Sequence, residues 1–174
     1  MKIIAGDLKA KQIVNLSNVT HPMSEKIRGG LFNILGDINE LSFLDCYAGT
    51  GAISFEALSR GAKSAVLIES DKKSQDSILN NIKTLKLFDK AKLIRSTVGS
   101  YINNSHNQKY DIIVCDPPFD EPIDTETFLK LEPLINKDGL LILSLPLNDI
   151  NFHFKNIKQI KEKKYGGARL VFFR

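Results

Sequence analysis

A regular alternation of short apolar runs and longer amphipathic segments, beginning at residue 43, constrains the fold of this chain most strongly. The apolar runs are rich in β-branched and aromatic residues and cover residues 43–46, 65–69, 91–94, 111–115 and 140–143. The segments between them have helical spacing and predict helices over about 52–60, 72–85, 98–104 and 124–135. Strands that are apolar on both faces are covered on both sides. The pattern therefore predicts an α/β fold, with a mostly parallel sheet and helices on both faces.

The amino-terminal segment precedes this alternation. Residues 2–14 are compatible with a small hairpin, and residues 24–35 predict a helix with Ser24 as its cap. Gly29 and Gly30 weaken the helix prediction, because each glycine costs up to about 1 kcal/mol relative to alanine.

The carboxyl-terminal segment is strongly basic. Residues 151–174 contain seven basic side chains and one acid, a net charge of +6, whereas the whole chain has +4. Residues 157–164, a turn at Gly166 and Gly167, and the β-prone residues 170–173 predict a terminal hairpin on the sheet edge. The charge favours a polyanionic partner such as RNA, although a solvated lysine face that keeps the domain soluble is the alternative.

Composition excludes several classes of protein. The chain is 43% hydrophobic and 25% charged, and no apolar run is long enough to span a membrane. The amino terminus becomes polar too early for a signal peptide, so we expect a cytoplasmic protein. No repeat or linker interrupts the sequence, and we expect residues 1–174 to form one domain.

The cysteines and histidines predict neither a disulfide nor a metal site. Cys46 and Cys115 each lie in or after an apolar run and are far apart in sequence, so we expect two buried thiols. The three histidines, at positions 21, 106 and 153, have no partner at the spacing of metal ligands.

A glycine-containing loop follows the first predicted strand, and it contains Gly49 and Gly51. A dinucleotide-binding loop would have a third glycine where Ser54 stands, and it would lack an acid at the position of Asp45. The Asp45 carboxylate suits hydrogen bonds within the loop or the ammonium of a methionyl group, and it would repel a pyrophosphate. Glu69, twenty residues beyond Gly49, ends the second strand at the spacing of an acid that binds ribose hydroxyls. A helix cap is the alternative role for Glu69.

The sequence Asp116-Pro117-Pro118-Phe119 at the end of the fourth strand is the most specific motif. Two prolines hold the backbone in a rigid, extended turn. The Asp116 carboxylate and the Pro117 carbonyl could accept the two hydrogens of an aromatic amino group while Phe119 stacks on the base. Such a base must be single-stranded, looped or flipped out. A turn with a buried aromatic side chain is the structural alternative.

These motifs, together with the surrounding sequence, resemble the class I methyltransferases and specifically the RsmD family of 16S rRNA guanine-N2 methyltransferases. The resemblance extends over nearly the full length and includes Ile3-Ile4-Ala5-Gly6, residues 21–28, 31–35, 44–51, 56–62 and 68–71, the Asp116–Phe119 motif and Tyr165-Gly166. It implies a Rossmann-like, seven-stranded sheet with one antiparallel strand. It also implies S-adenosylmethionine as methyl donor and the assembled small ribosomal subunit as substrate.

The resemblance assigns roles to individual residues. The cofactor-binding residues that it implies are Asp45, Tyr47, Gly49, Gly51, Glu69, Ser70, Asp71 and, near the adenine, Thr97. It implies that Asp116, Pro117, Pro118 and Phe119 hold the guanine amino group, and that residues 1–40, around Pro22 to Ser24, close over the cofactor. RNA contacts are expected at Arg28, Lys161, Lys163 and Lys164.

The chain departs from the family pattern at a few positions. The family usually has arginine and threonine where His21 and Met23 stand, and an acid where Gly29 stands. At Thr97 there is no carboxylate to bind adenine, so a hydroxyl or backbone group must serve.

Two other functions are compatible with the motifs: an amino methyltransferase that acts on DNA adenine or protein glutamine, and a non-catalytic RNA-binding module. The absence of a target-recognition domain disfavours DNA, and intact Asp116 and Glu69 disfavour the non-catalytic module. We expect a monomer.

Overall fold

A computed structural model describes residues 1–17, 23–105, 108–119, 122–147 and 151–174. The strands are β1 Ser42–Cys46, β2 Ser64–Glu69, β3 Ala91–Arg95, β4 Tyr110–Cys115, β5 Ile135–Pro146, β6 Gln159–Tyr165 and β7 Ala168–Phe173. The helices are α1 Glu25–Leu35, α2 Ala52–Ser59, α3 Lys72–Leu85, α4 Val98–Asn104 and α5 Thr125–Leu129, and a 3₁₀ turn spans Glu132–Leu134.

The strands form one seven-stranded sheet in the order β3-β2-β1-β4-β5-β7-β6. The first five strands are parallel, whereas β7 is antiparallel to both β5 and β6. This arrangement confirms the predicted fold class and the terminal hairpin. Pro146 at the end of β5 pairs with Ala168 at the start of β7. The Gly166-Gly167 turn therefore lies at the end of the sheet where the parallel strands have their carboxyl ends.

Each face of the sheet carries its own apolar core. One core contains side chains of α1, α2 and α3, including Phe32, Phe55 and Ile82. The other contains side chains of α4 and α5, including Tyr101 and Phe128. Helices therefore cover both faces, as the apolar strands predicted.

The helix α1 begins as the sequence predicted, because the Ser24 hydroxyl accepts a hydrogen bond from the Ile27 amide at 3.3 Å. Gly30 has a packing role within this helix. A Cβ atom at Gly30 would lie 2.1 Å from the hydroxyl of Tyr165 in β6, so glycine allows the hairpin to approach α1 closely.

The predicted amino-terminal hairpin is present but short: Lys2 and Gln12 form an antiparallel bridge, and backbone hydrogen bonds join Ile3 to Lys11 and Ile13 to Met1. Side chains of α2 bind the loop of this hairpin. The buried Glu56 carboxylate accepts hydrogen bonds from the amides of Ile4 and Ala5, at 2.7 and 3.1 Å. Because these amides bond to a helix, the loop of the hairpin lies against α2.

The helix predicted over 124–135 is shorter than expected. The helix α5 ends at Leu129, and β5 begins at Ile135. Pro133 limits the helix because it lacks an amide hydrogen and clashes with the preceding turn.

The cysteines, the histidines and the predicted lack of a membrane span can also be compared with the structure. Cys46 and Cys115 are buried free thiols on paired positions of β1 and β4, as expected. His21, Pro22 and His106 lie outside the described residues. Within the described ranges, no helix is long and apolar enough to cross a membrane.

Candidate active site

The loop after β1 is built from residues with positive φ. Tyr47, Gly49 and Gly51 have φ values of 64°, 57° and 79°. The Gly51 amide donates to the Ala48 carbonyl at 2.7 Å, and Gly51 then caps α2. A Cβ atom there would lie 2.5 Å from the Phe55 ring, so the turn requires glycine for both conformation and space.

Asp45 is fully buried beneath this loop. Its Oδ2 accepts hydrogen bonds from the Ser54 hydroxyl at 2.7 Å and the Ser54 amide at 3.2 Å, the first of the two roles that the sequence left open. Oδ1 has no hydrogen-bond partner among the described residues. Burial, assisted by the nearby carboxylates of Asp116 and Glu69 and opposed by the hydrogen bonds from Ser54, raises the pKa of Asp45 to about 7.

Glu69 connects the loop to the end of β2. Its Oε2 accepts from the Gly49 amide at 2.7 Å, and its Oε1 accepts from the Asp71 amide at 2.8 Å. Neither contact is a helix cap. Asp71 fills that role, because its carboxylate accepts from the Ser74 amide in the first turn of α3, and this hydrogen bond lowers the pKa of Asp71.

A cavity of ≈ 250 Å³ opens at the carboxyl ends of β1, β2 and β3. Four of the predicted cofactor residues line it: Tyr47, Glu69, Ser70 and Thr97. The hydroxyl of Thr97 accepts from the Ser100 amide at 3.2 Å and caps α4, so the threonine is oriented by the helix that it begins. Asp45, Gly49, Gly51 and Asp71 are not among the lining residues, and the first three lie in the adjoining strand and loop.

The Asp116 motif lies next to the glycine loop at the end of β4. The Asp116 amide donates to the carbonyl of Cys46, which immediately precedes Tyr47. Burial raises the pKa of Asp116 to about 6, while a hydrogen bond from Ser144 lowers it. Phe119 is 44% exposed, so the alternative of a buried aromatic side chain is wrong.

Arg28 is buried inside the protein, which corrects its expected contact with RNA. The side chain has no exposed area and lies 3.7 Å from Glu56. It also donates to the carbonyl of Lys2. Because the amino-terminal segment and α2 enclose the guanidinium, Arg28 stabilises the fold and is not available to a macromolecule.

The three expected RNA-binding lysines are all exposed on β6. Lys161 and Lys163 pair with Phe172 and Leu170, which places them on the α1 side of the sheet. Lys164 lies on the other side, 3.8 Å from Glu162.

Sequence reasoning missed three polar residues at the site. Ser54 was noted in the sequence only because a dinucleotide-binding loop would have glycine there, but its hydroxyl donates a hydrogen bond to the Asp45 carboxylate. Asp124 lines the cavity and caps α5 through Thr127, and a capping pattern in the sequence could have identified it. Leu143 pairs with Cys115, so Ser144 lies beside Asp116 on the neighbouring strand. The sequence does not specify this register.

The residues present fit a cationic nucleoside cofactor. The unpartnered Oδ1 of Asp45 and the hydroxyl of Thr50, which also lacks a partner among the described residues, are polar atoms at the loop. Glu69 and Thr97 provide oxygen atoms around the cavity. The sheet order and the position of the loop define a class I methyltransferase, and S-adenosylmethionine is the methyl donor of this class.

Comparison with known proteins identifies the family. A family model described as "Conserved hypothetical protein 95" matches residues 1–174, and the chain belongs to this family, the RsmD family of methyltransferases. The ribosomal RNA small subunit methyltransferase D of Buchnera aphidicola (subsp. Acyrthosiphon pisum) is 35% identical over 75% of this chain and 69% of its own length. The Escherichia coli protein of the same name is 34% identical over 76% of this chain and 67% of its own. The solved structure of Escherichia coli yhhF is 28% identical, has a TM-score of 0.86 and covers 99% of this chain and 96% of its own.

Proposed function

We propose that this protein transfers a methyl group from S-adenosylmethionine to the exocyclic N2 amino group of a guanine in 16S ribosomal RNA, within the assembled small subunit. Methylation of ribosomal RNA is supported by the names of the relatives. The choice of guanine N2 and of the assembled subunit comes from the family resemblance. The observation that carries the chemistry is the position of Asp116 beside the glycine loop, with Phe119 exposed next to it.

The residues of the motif suit a weakly nucleophilic amino nitrogen. When bound, S-adenosylmethionine supplies an electrophilic methyl group on a sulfonium centre. Asp116 and the Pro117 carbonyl accept the amino hydrogens and orient the nitrogen lone pair, while Phe119 stacks on the base. Formation of the nitrogen–carbon bond would be matched by cleavage of the sulfur–methyl bond, which leaves the electron pair on the sulfur of S-adenosylhomocysteine. The nitrogen loses one proton, which ionised Asp116 can accept and pass to solvent.

The surrounding residues supply binding. We propose that Asp45, Tyr47, Gly49, Gly51, Glu69, Ser70 and Thr97 hold the cofactor, with Asp71 acting indirectly as the cap of α3. Lys161, Lys163 and Lys164 contact RNA phosphates, because they are exposed on β6, whose carboxyl end lies at the same end of the sheet as Asp116. Residues 1–40 close over the cofactor, and the protein acts as a cytoplasmic monomer.

Transfer of labelled methyl groups tests the proposal directly. Wild-type protein and Asp116→Ala are incubated with labelled S-adenosylmethionine and, separately, unmodified small subunits, naked 16S rRNA, DNA and a glutamine-containing ribosomal protein. We expect transfer to the small subunit, loss of transfer in Asp116→Ala and retention of cofactor binding by the variant. Mass mapping of the nucleotide then identifies the base. Transfer to DNA or protein alone would overturn the rRNA assignment.

A further inference from the structure

The amino-terminal segment reaches the side of α3 as a strap, which we define as residues 13–17. The buried Asn81 side chain holds it through both backbone groups of Val14. The Val14 amide donates to Asn81 Oδ1 at 2.9 Å, and Asn81 Nδ2 donates to the Val14 carbonyl at 2.9 Å. One turn earlier in α3, the Ser77 hydroxyl accepts from the Leu16 amide at 2.9 Å.

The same Asn81 side chain also contacts the glycine loop. Its Nδ2 donates to the carbonyl of Thr50 at 3.2 Å, and Thr50 lies between Gly49 and Gly51. Asn81 has no exposed area, so water does not compete for these bonds. One side chain therefore joins the strap to the loop, which are more than thirty residues apart in sequence.

We infer that Asn81 is a positioning residue that couples docking of the strap to binding of the cofactor. Loss of the strap or of the loop would leave a buried polar group of the Asn81 side chain unpaired, which is costly. The hydrogen bonds of Asn81 to Val14 and to Thr50 therefore stabilise one another. A cofactor that fixes the loop therefore stabilises the docked strap, and the docked strap raises the cofactor affinity by the same factor. The inference rests on the proposed placement of the cofactor at the Gly49–Gly51 loop.

Ser77 provides a matched control for Asn81. Both side chains are fully buried on the same helix, and both hold the strap. Only Asn81, however, has a hydrogen bond to the glycine loop. Ser77→Ala thus loosens the strap without touching the loop, whereas Asn81→Ala removes the connection between them.

Hydrogen exchange of the full chain, with and without S-adenosylhomocysteine, tests the coupling in the wild-type protein. We expect the amides of Gly49 and Gly51 in the loop and those of Val14 and Leu16 in the strap to exchange more slowly together. Slower exchange in the loop with an unchanged strap would overturn the coupling and leave the cofactor placement intact. An unchanged loop would refute the placement of the cofactor, and the coupling with it.

The variants separate positioning from simple stabilisation. In Asn81→Ala, we expect the dissociation constant for S-adenosylhomocysteine to rise at least about fivefold, and exchange at Leu16 to stop responding to it. In Ser77→Ala, Asn81 still holds the strap at Val14, so we expect the dissociation constant to change by less than about twofold, with Val14 still responding. Measurements are made below the thermal midpoint of each variant. Equal losses of affinity in the two variants, or a continued response of Leu16 in Asn81→Ala, would contradict the inference.

Discussion

The backbone amide of Gly49 donates a hydrogen bond of 2.7 Å to Oε2 of Glu69, which ties the glycine loop to the end of β2. Glu69 also lines the cavity. Glu69 therefore holds the loop and forms part of the cavity wall, so its removal should affect both.

Replacement of Glu69 by alanine is expected to weaken binding of S-adenosylhomocysteine by about tenfold or more, because a charge-assisted hydrogen bond is worth about 1.5–3 kcal/mol. Titration calorimetry measures the affinity. Asp71→Ala is the matched control, since it removes a neighbouring carboxylate that caps α3 and does not line the cavity. It should lower stability by about 1 kcal/mol and weaken binding much less than Glu69→Ala does, because its part in cofactor binding is indirect. Equal weakening by both variants would exclude this role for Glu69.

The pH dependence of methyl transfer should follow Asp116. Because its pKa is about 6, kcat/KM is expected to rise with pH through that value as the carboxylate becomes an acceptor. Ser144→Ala removes a hydrogen bond that lowers this pKa, so the profile should move to higher pH. Activity would fall by about threefold at pH 6 and little at pH 8. An unshifted profile in Ser144→Ala would rule out the contribution of this hydroxyl.

Asp45 should make the protein less stable as pH rises. Burial raises its pKa in the folded state to about 7 from 3.8, so the folded protein holds the proton more tightly than the unfolded chain. The contribution is complete below about pH 4 and is lost as pH approaches 7. Relative to Asp45→Asn, the wild-type free energy of unfolding should fall by on the order of 2–4 kcal/mol between pH 4 and 8. Denaturant unfolding at several pH values checks this, and parallel curves for the two proteins would refute it.

Gly30→Ala is expected to destabilise the protein because the added Cβ atom would overlap the Tyr165 hydroxyl. The overlap should cost about 1–3 kcal/mol, more than the helix gains from alanine. Tyr165→Phe should relieve part of this cost in the double variant. Gly29→Ala is the control, since its nearest atom would be 3.7 Å away, and it should be neutral or stabilising by up to about 1 kcal/mol. Additive effects of Gly30→Ala and Tyr165→Phe would show that the two residues do not interact.

Alanine at Lys161, Lys163 and Lys164 should weaken binding to rRNA and reduce its dependence on salt. Each lost phosphate contact lowers the slope of log affinity against log salt by roughly 0.7–0.9, so three contacts change it by about 2–3. The control removes the same charge at Lys83, Lys90 and Lys92, exposed residues on α3 and at β3 near the opposite sheet edge. Filter binding at several salt concentrations measures both. An equal change in the control would indicate general electrostatics and no specific role for β6.

Local signals predicted the regular elements well. The helix α3 spans Lys72–Leu85, the predicted range, because its apolar residues recur at helical spacing and Asp71 caps it. The short amino-terminal hairpin was predicted but its docking was not, since Glu56 on α2 accepts hydrogen bonds from the amides of Ile4 and Ala5 in the hairpin loop. No local pattern encodes a partner that lies fifty residues away.

Some residues of the candidate site were also predictable from local sequence, whereas others depend on tertiary packing. Asp45, Glu69 and Asp116 were recognisable because strand ends in such a sheet meet at one edge. The contact of Ser144 with Asp116 depends on the register of two strands, and the burial of Arg28 depends on how the amino-terminal segment folds over it. Such features appear only when the elements pack.

The position of β7 between β5 and β6 bears on how the protein is synthesised. The ribosome makes β6 before β7, yet β6 has no partner in the sheet until β7 pairs with β5. The apolar edge of β5 therefore stays open to pairing with other chains until the last strand of the sheet emerges. Once β7 is in place, the lysine-rich β6 forms the finished edge, where its charge disfavours aggregation.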